Sequence, residues 1–279
     1  MIVDGKKIAE EILQELEKER ASLPPVLRLG VVMGAGDAAS DSFVRIKERT
    51  AERLRVDVSR EVLAKDSSTT DAIHAVLRLS KVAAGIIVQL PLPRQIAIAQ
   101  VLAALPPEQD VDRMRPPGLP RLVSSPIVGA LSEIFVRYTI SASGKKAVVV
   151  GEGTLVGTPA AEFLRELRAR VVVVTEESGS LEELADADLV VLGAGHPGLV
   201  TPEMLKPGVV LIDAGTSAAS DSHIQLPQGA RGRRVFGDAD PACANVASVF
   251  TPVPGGVGPI TVAMLFKNLF ALVRHQQGL

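Results

Sequence analysis

The stretch "VVVGEGTLVGTP", residues 148–159, reads as a run of strand valines, a glycine-rich turn and the start of a helix. Gly151, Gly153 and Gly157 make a G-x-G-x-x-x-G series, one residue longer than the dinucleotide fingerprint. Glycines in such a turn let backbone N–H groups approach a pyrophosphate, and the following helix N-terminus adds partial positive charge. Thr158 is expected to be the N-cap of that helix and Pro159 its first residue. A glycine series alone fits any tight strand-to-helix turn. Its place inside a βαβ pattern is what favours a nucleotide.

Working outward from the turn, the second half of the chain predicts a helix near Val128–Tyr138, the strand "KAVVV" and a helix over Pro159–Leu167. "RVVVV", a short helix near Leu181, "DLVVLG" and "GVVLIDAG" follow. The first half predicts a helix over "DGKKIAEEILQELEKER", with Ile8, Ile12 and Leu16 on one face. "LRLGVVM", "VDVSREVL" and "AGIIVQL" read as strands, with helices over about 40–54, 69–80 and 95–105. Residues 106–126 are rich in proline and charge and read as an irregular crossing segment. After the loop "FTPVPGGVGPI" an apolar helix runs from Thr261 to about Arg274. Short, continuous apolar strands alternating with helices predict an α/β fold of two lobes, the second a doubly wound, Rossmann-like parallel sheet. The expected boundaries put residues 1–126 and 251–279 in one lobe and residues 127–250 in the other.

Composition removes several function classes. The 279 residues are 47% apolar with a formal net charge of −2, which gives no attraction to nucleic acid. Aromatic residues make up 3%, with no Trp and only Tyr138, too few for a base-stacking surface. Cys243 is the one cysteine, so no intramolecular disulfide forms. His74, His196, His223 and His275 are scattered without ligand spacing, and no metal site is expected. No apolar run is read as long enough to span a bilayer, and residues 1–20 look like a charged helix rather than a signal peptide. The expectation is a cytoplasmic protein with no membrane partner.

Glu152 is the odd member of the glycine turn, a negative charge where phosphate would be welcome. Glu176 and Glu177 end "VVVVTEE", about 20 residues beyond the glycines, where an acid often binds the adenosine ribose hydroxyls of NAD. Paired glutamates are also ordinary solvated loop charges. Together the three acids would repel a 2′-phosphate, and neither turn has an Arg or Lys to offset them. NAD is therefore expected over NADP. The candidate cofactor contacts are Gly151, Glu152, Gly153, Thr154, Val156 and Gly157 in the turn, Glu176 beyond the next strand, and Thr216 after "GVVLIDAG".

In "SDSFVRIKERT" Phe43 and Lys47 are four apart and share a helix face, although a helical lysine is ordinarily a solvated charge. "GIIVQLPLP" ends an apolar strand in Gln89, the place where α/β sheets hold ligands. "EQDVDRM" adds Asp110 and Asp112, which also fit ordinary turn acids.

"GIIVQLPLP", "QDVD" and above all "TPVPGGVGPIT" resemble the methylenetetrahydrofolate dehydrogenase/cyclohydrolase family. "VDGKKIA", "GTLVGTPAA", "LKPGVVLIDAG" and "VFGDAD" extend the match in register over nearly the whole chain. The resemblance implies a cytosolic homodimer that holds tetrahydrofolate one-carbon derivatives in a cleft between lobes. It implies oxidation of 5,10-methylenetetrahydrofolate by a nicotinamide cofactor, then hydrolysis of the methenyl product to 10-formyltetrahydrofolate. Lys47 stands at the catalytic lysine of the family's Y-V-x-x-K motif, Gln89 at the glutamine that tunes it, and Asp112 at the aspartate that holds the pterin. Phe43, Gly255, Gly256 and Pro259 fall on substrate-binding positions.

Four departures accompany the match. Phe43 replaces the motif's tyrosine, Arg113 replaces the glycine after D-V-D, and "SSPIVG" stands where the family shows Pro-Cys-Thr-Pro. "GEG" at 151–153 replaces Gly-Arg-Ser, whose side chains would receive the 2′-phosphate of NADP. A catalytically impaired or non-catalytic folate-binding paralogue is the alternative. Another two-lobed nicotinamide oxidoreductase, acting on shikimate or an amino acid, ranks last because of "TPVPGGVGP" and "VQLPLP".

Overall fold

A computed structural model describes residues 1–36, 38–115, 122–218 and 235–278. The chain divides into two compact units: Ala9–Pro126 with Val262–Leu279, and Met1–Ile8 with Ile127–Thr261. This differs from the expected boundaries at the first eight residues and at 251–261, which both join the second unit. The cause is backbone pairing: Val3 N donates to Phe250 O at 2.8 Å and Phe250 N to Met1 O at 2.9 Å.

The first unit is built on β1 (Arg28–Gly34), β2 (Asp57–Leu63) and β3 (Gly85–Gln89), all parallel in the order β2-β1-β3. β3 is buried at every position and β1 at all but its first, as their unbroken apolar runs require; edge strand β2 is mostly open. Around the sheet run α1 (Gly5–Glu19), α2 (Ala38–Arg53), α3 (Thr69–Leu79) and α4 (Ile98–Ala103). Asp4 caps α1 through Lys7 N at 3.0 Å, and Ser68 with Asp71 forms a reciprocal capping box on α3. Arg53 at the end of α2 clasps Glu10 and Glu17 of α1, both at 2.6 Å, so the two helices are fixed side by side. α4 is shorter than its sequence pattern predicts. Gln95 donates to Lys65 O and Ser67 O at 2.7 and 2.8 Å, which holds the residues before α4 in a turn.

The second unit contains α5 (Pro126–Arg137), β4 (Lys146–Val150), α6 (Gly157–Glu166), β5 (Arg170–Val174), β6 (Leu189–Leu192) and β7 (Val210–Asp213). A short antiparallel pair, β8 (Ser217–Ala218) and β9 (Val235–Phe236), precedes β10 (Val249–Phe250). The parallel sheet has the order β10-β7-β6-β4-β5. The chain winds outward from β4 in one direction to β5 and then back across to β6, β7 and β10. This is the doubly wound, Rossmann-like arrangement the sequence predicts, with its switch point between β4 and β6.

Two helix starts differ from expectation. α6 begins at Gly157 with Val156 as an N-cap lacking a side-chain bond, so Thr158 is not the cap and Pro159 is not its first residue. Gly153 O accepts both Val156 N and Thr158 N at 3.2 Å, closing the first turn early. The last helix, α7 (Val257–Gln277), starts four residues before Thr261, so Pro259 lies in its first turn, where the missing N–H is harmless. α7 also meets the length and composition for crossing a bilayer, against the expectation that no apolar run would. Its Leu265, Phe266, Leu269, Phe270 and Leu272 are buried in the protein, which marks a core helix.

Candidate functional site

Lys47 lies in the middle of α2 and points at the carboxyl end of β3, where its Nζ donates to Gln89 Oε1 at 2.9 Å. Gln89 is buried and pairs with Met33 of β1 in the sheet. Its Nε2 donates to Leu90 O at 2.9 Å, which fixes the amide with its oxygen toward the lysine. Burial pushes the Lys47 amine below its ordinary value, and the Asp112 carboxylate opposes that shift. Burial pushes Asp112 up in turn, with Lys47 opposing and Asp110 adding to it. The pair therefore sits closer to its neutral forms than the same groups in water, a condition for exchanging protons near neutral pH.

The D-V-D segment is held from three sides. Asp110 forms a parallel bridge with Ile86, and its carboxylate accepts Met114 N at 3.0 Å and Arg115 N at 2.8 Å. Val111 packs on Gly85, where a Cβ would lie 2.5 Å from Val111 Cγ1. Asn268 of α7 donates to Val111 O at 2.9 Å and to Ser124 O at 2.8 Å. Arg113 has φ of 54°, in the left-handed region that glycine occupies freely. Phe43 is one turn before Lys47 on α2 and is exposed, offering a ring without a hydroxyl.

In the second unit the glycine turn occupies the carboxyl end of β4. Gly151 has φ of 97°, and a Cβ there would stand 2.6 Å from Gly193 O; a Cβ on Gly157 would stand 2.1 Å from Gly151 O. Gly153 faces open space, and the amides of Glu152, Gly153, Thr154 and Leu155 donate to no group among the described residues. Unused donors ahead of a helix N-terminus fit the pyrophosphate of a dinucleotide. Thr158 Oγ1 braces the turn from within α6 by donating to Glu152 O at 2.9 Å. Val156 packs against Gly193, while the side chains of Glu152 and Thr154 are exposed. Glu176 follows β5, exposed, with its Oε1 3.6 Å from His196 Nε2.

The other candidates divide between these surroundings. Thr216 is exposed beyond β7 and makes no hydrogen bond among the described residues, next to Ser217, whose Oγ donates to Gly195 O at 2.7 Å. Gly255, with φ of 110°, and Gly256, whose N donates to Pro252 O at 2.7 Å, form a tight turn after β10. That turn is tied to β7 because buried Thr251 Oγ1 accepts Asp213 N at 2.6 Å. Pro259 lies just beyond, in α7. Sequence reading passed over Asn268, Asp213, Asp238 and the β6 loop at 193–198, since each acts through partners far along the chain. A signal was available in the switch-point topology, which makes the loop after β6 the natural facing wall of a turn after β4. Among the described residues no group of three or more His, Cys, Asp or Glu is placed to hold a metal ion; His223 lies outside them.

A doubly wound unit with a glycine turn at its switch point, and an α/β unit in which a half-buried lysine donates to a buried glutamine, define an α/β enzyme of the NAD(P)-binding class. Residues 3–112 match the family described as tetrahydrofolate dehydrogenase/cyclohydrolase, catalytic domain, and residues 127–277 its NAD(P)-binding domain. The chain is 37% identical to the bifunctional protein FolD of Halothermothrix orenii, over 96% of this chain and 95% of that one. It is 32% identical to FolD of Staphylococcus aureus, covering 100% and 98%. A crystal structure of the Trypanosoma brucei methylenetetrahydrofolate dehydrogenase-cyclohydrolase, complexed with NADP and an inhibitor, superposes with a TM-score of 0.88 at 29% identity, covering 99% and 98%. The chain belongs to the tetrahydrofolate dehydrogenase/cyclohydrolase family and is a bifunctional methylenetetrahydrofolate dehydrogenase/methenyltetrahydrofolate cyclohydrolase with an NAD(P)-binding domain.

Proposed function

We propose that Lys47, Gln89 and Asp112 carry the one-carbon chemistry and that the dehydrogenase prefers NAD. Asp112 holds the pterin by its carboxyl. Lys47 takes one proton from the water that attacks the methenyl carbon and returns it to N5 as the carbon–N5 bond breaks, while the remaining hydroxyl proton passes to solvent and 10-formyltetrahydrofolate is left. Gln89 fixes the lysine and, by accepting from it, sets where its proton can go. The observation that carries this reading is the 2.9 Å Lys47–Gln89 bond between groups whose burial favours the neutral amine. Phe43 supplies only ring surface to the substrate, so proton handling rests on Lys47 without a neighbouring hydroxyl. Gly255, Gly256 and Pro259 contribute close backbone approach to the folate.

On the dinucleotide side, the turn at Gly151–Gly157 would hold the pyrophosphate through its unused amides, with Thr154, Val156 and Thr216 alongside. The nicotinamide supplies the hydride acceptor when bound. Glu152 and Glu176 would receive the ribose hydroxyls of NAD and repel the 2′-phosphate of NADP. We place the folate half on residues 9–126 with the C-terminal helix and the dinucleotide half on the unit around β4. We further infer that the protein works in the cytoplasm as a homodimer, without membrane or nucleic-acid partners.

The test supplies 5,10-methylenetetrahydrofolate with NAD or NADP and follows formation and decay of the methenyl product spectroscopically. Higher kcat/KM with NAD is expected; equal or better turnover with NADP removes the acidic-turn argument. Equilibrium sedimentation reads the dimer.

A further inference from the structure

Asp238 is fully buried in the second unit and has no part in the chemistry above. Its Oδ2 accepts the amides of Ala194 at 2.7 Å and Gly195 at 3.0 Å, and the His196 amide also bonds to this carboxylate. Oδ1 is buried and meets no hydrogen-bond partner among the described residues. The carboxylate is covered by Gly215, where a Cβ would fall 2.2 Å from Asp238 Cγ, so only glycine leaves room for it. Asp238 thus draws the loop after β6 inward from beneath.

That loop is the wall facing the glycine turn across the switch point. Gly151 is packed so closely on Gly193 that no side chain fits between them, and Gly193 is packed equally closely on Val156. The remaining loop amides are also engaged: Gly193 N with Val150 O at 2.9 Å, Gly198 N with Gly237 O at 3.2 Å, and Leu199 N with His196 O at 3.2 Å. On the outer side, Ala194 O meets His196 Nδ1 at 3.0 Å and Gly195 O accepts Ser217 Oγ at 2.7 Å. The β6 loop therefore offers the cofactor no free amide among the described residues, and its shape depends on what gathers those amides.

The geometry points to Asp238 as a positioning residue for the nicotinamide cofactor: it holds the β6 loop in the shape against which the glycine turn opens for the dinucleotide. This rests on the glycine turn being the cofactor site. Releasing Ala194 and Gly195 frees Gly193 to shift, and with it the backbone on which Gly151 and Val156 are seated.

The test compares the full-length protein with Asp238→Ala and Asp238→Asn, measuring KM and kcat for the cofactor in the dehydrogenase reaction. In parallel, hydrolysis of supplied 5,10-methenyltetrahydrofolate is followed without cofactor. Loss of three bonds to a charged acceptor predicts a cofactor KM about tenfold higher or more in Asp238→Ala, with cofactor-free hydrolysis within about twofold of wild type. Asn keeps an acceptor oxygen in place of Oδ2 but loses the charge, so its KM rises less, by about threefold. An unchanged cofactor KM in Asp238→Asn, or an equal fall of both activities in either variant, overturns the assignment. Cofactor affinity unaffected by substitutions in the glycine turn overturns the underlying site as well.

Discussion

Around Lys47 the work is assigned to side chains: an amine, an amide and a carboxyl, each held by buried neighbours. Around the glycine turn it is assigned to backbone, with the side chains of Glu152 and Leu155 left exposed. A side-chain site loses its chemistry when one atom group is replaced, because nothing else at that place can move the proton. A backbone site tolerates exchange of its exposed side chains, and such exchanges alter which ligand it admits. One departure at each site illustrates that division: beside Lys47 the motif's tyrosine hydroxyl is missing at Phe43, whereas in the turn an exposed side chain is exchanged at Glu152. Lys47, Gln89 and Asp112 stand unchanged, whereas Gly-Arg-Ser has become Gly151-Glu152-Gly153.

The contrast is most exposed at Lys47. Lys47→Met should lower methenyl hydrolysis by about 10²–10⁴-fold, the usual worth of a general acid–base group, while cofactor KM stays near wild type. Undiminished hydrolysis, read from the decay of methenyl absorbance, would remove the lysine from the mechanism.

The next largest effect tests whether buried acids in the backbone-built unit are structural. Burial beside Asp238 raises Asp213 from an ordinary 3.8 to about 6, so the folded state binds more protons than the unfolded state between those values. Stability contributed by this group is present in acid and is lost as pH rises from about 4 to 6, by up to ~3 kcal/mol. Denaturant unfolding of Asp213→Asn across that range should show a flatter pH dependence than wild type. Identical profiles would mean that Asp213 does not titrate there.

A smaller shift is expected from charge exchange in the turn. Glu152→Arg should move the NAD to NADP ratio of kcat/KM by about tenfold toward NADP, one charge-assisted contact to phosphate gained and one repulsion lost. No movement in the ratio would separate Glu152 from cofactor choice.

The smallest effect concerns Arg113. Its left-handed backbone costs about 1–2 kcal/mol, partly offset by the extra freedom glycine gives the unfolded chain, so Arg113→Gly should stabilise by up to about 1 kcal/mol. A melting temperature that falls instead would show that the arginine side chain makes a compensating contact.

Much of this was readable in advance because the informative patterns are local. Valine runs such as Val148–Val150 and Val171–Val174 suit parallel strands, and they are strands, the first buried and the second largely half-buried at the sheet edge. Gln89 stands out at the end of its apolar strand, but Lys47 looks like a solvated helical charge until the family resemblance singles it out, because the bond that joins them spans 42 residues. Thr158 misled because Gly153 O closes the helix earlier than the Thr-Pro pair suggests. α4 fell short because Gln95 serves the backbone of Lys65 and Ser67, a tertiary demand absent from its own window. Asp238 escaped notice for a related reason: in "VFGDAD" it looks like a turn acid, and the amides it serves are 43 and 44 positions away.

Asn268 carries a consequence for how the protein is made. It secures Val111 O from a position 157 residues later, and the same amide ties down Ser124 O. During synthesis the helix that carries Lys47 and the strand that carries Gln89 can pack together long before this tie exists. The stretch bearing Asp112 gains it only when the last helix has left the ribosome, so a nascent chain stopped short of Asn268 holds its lysine in place but lacks the full anchorage of its aspartate.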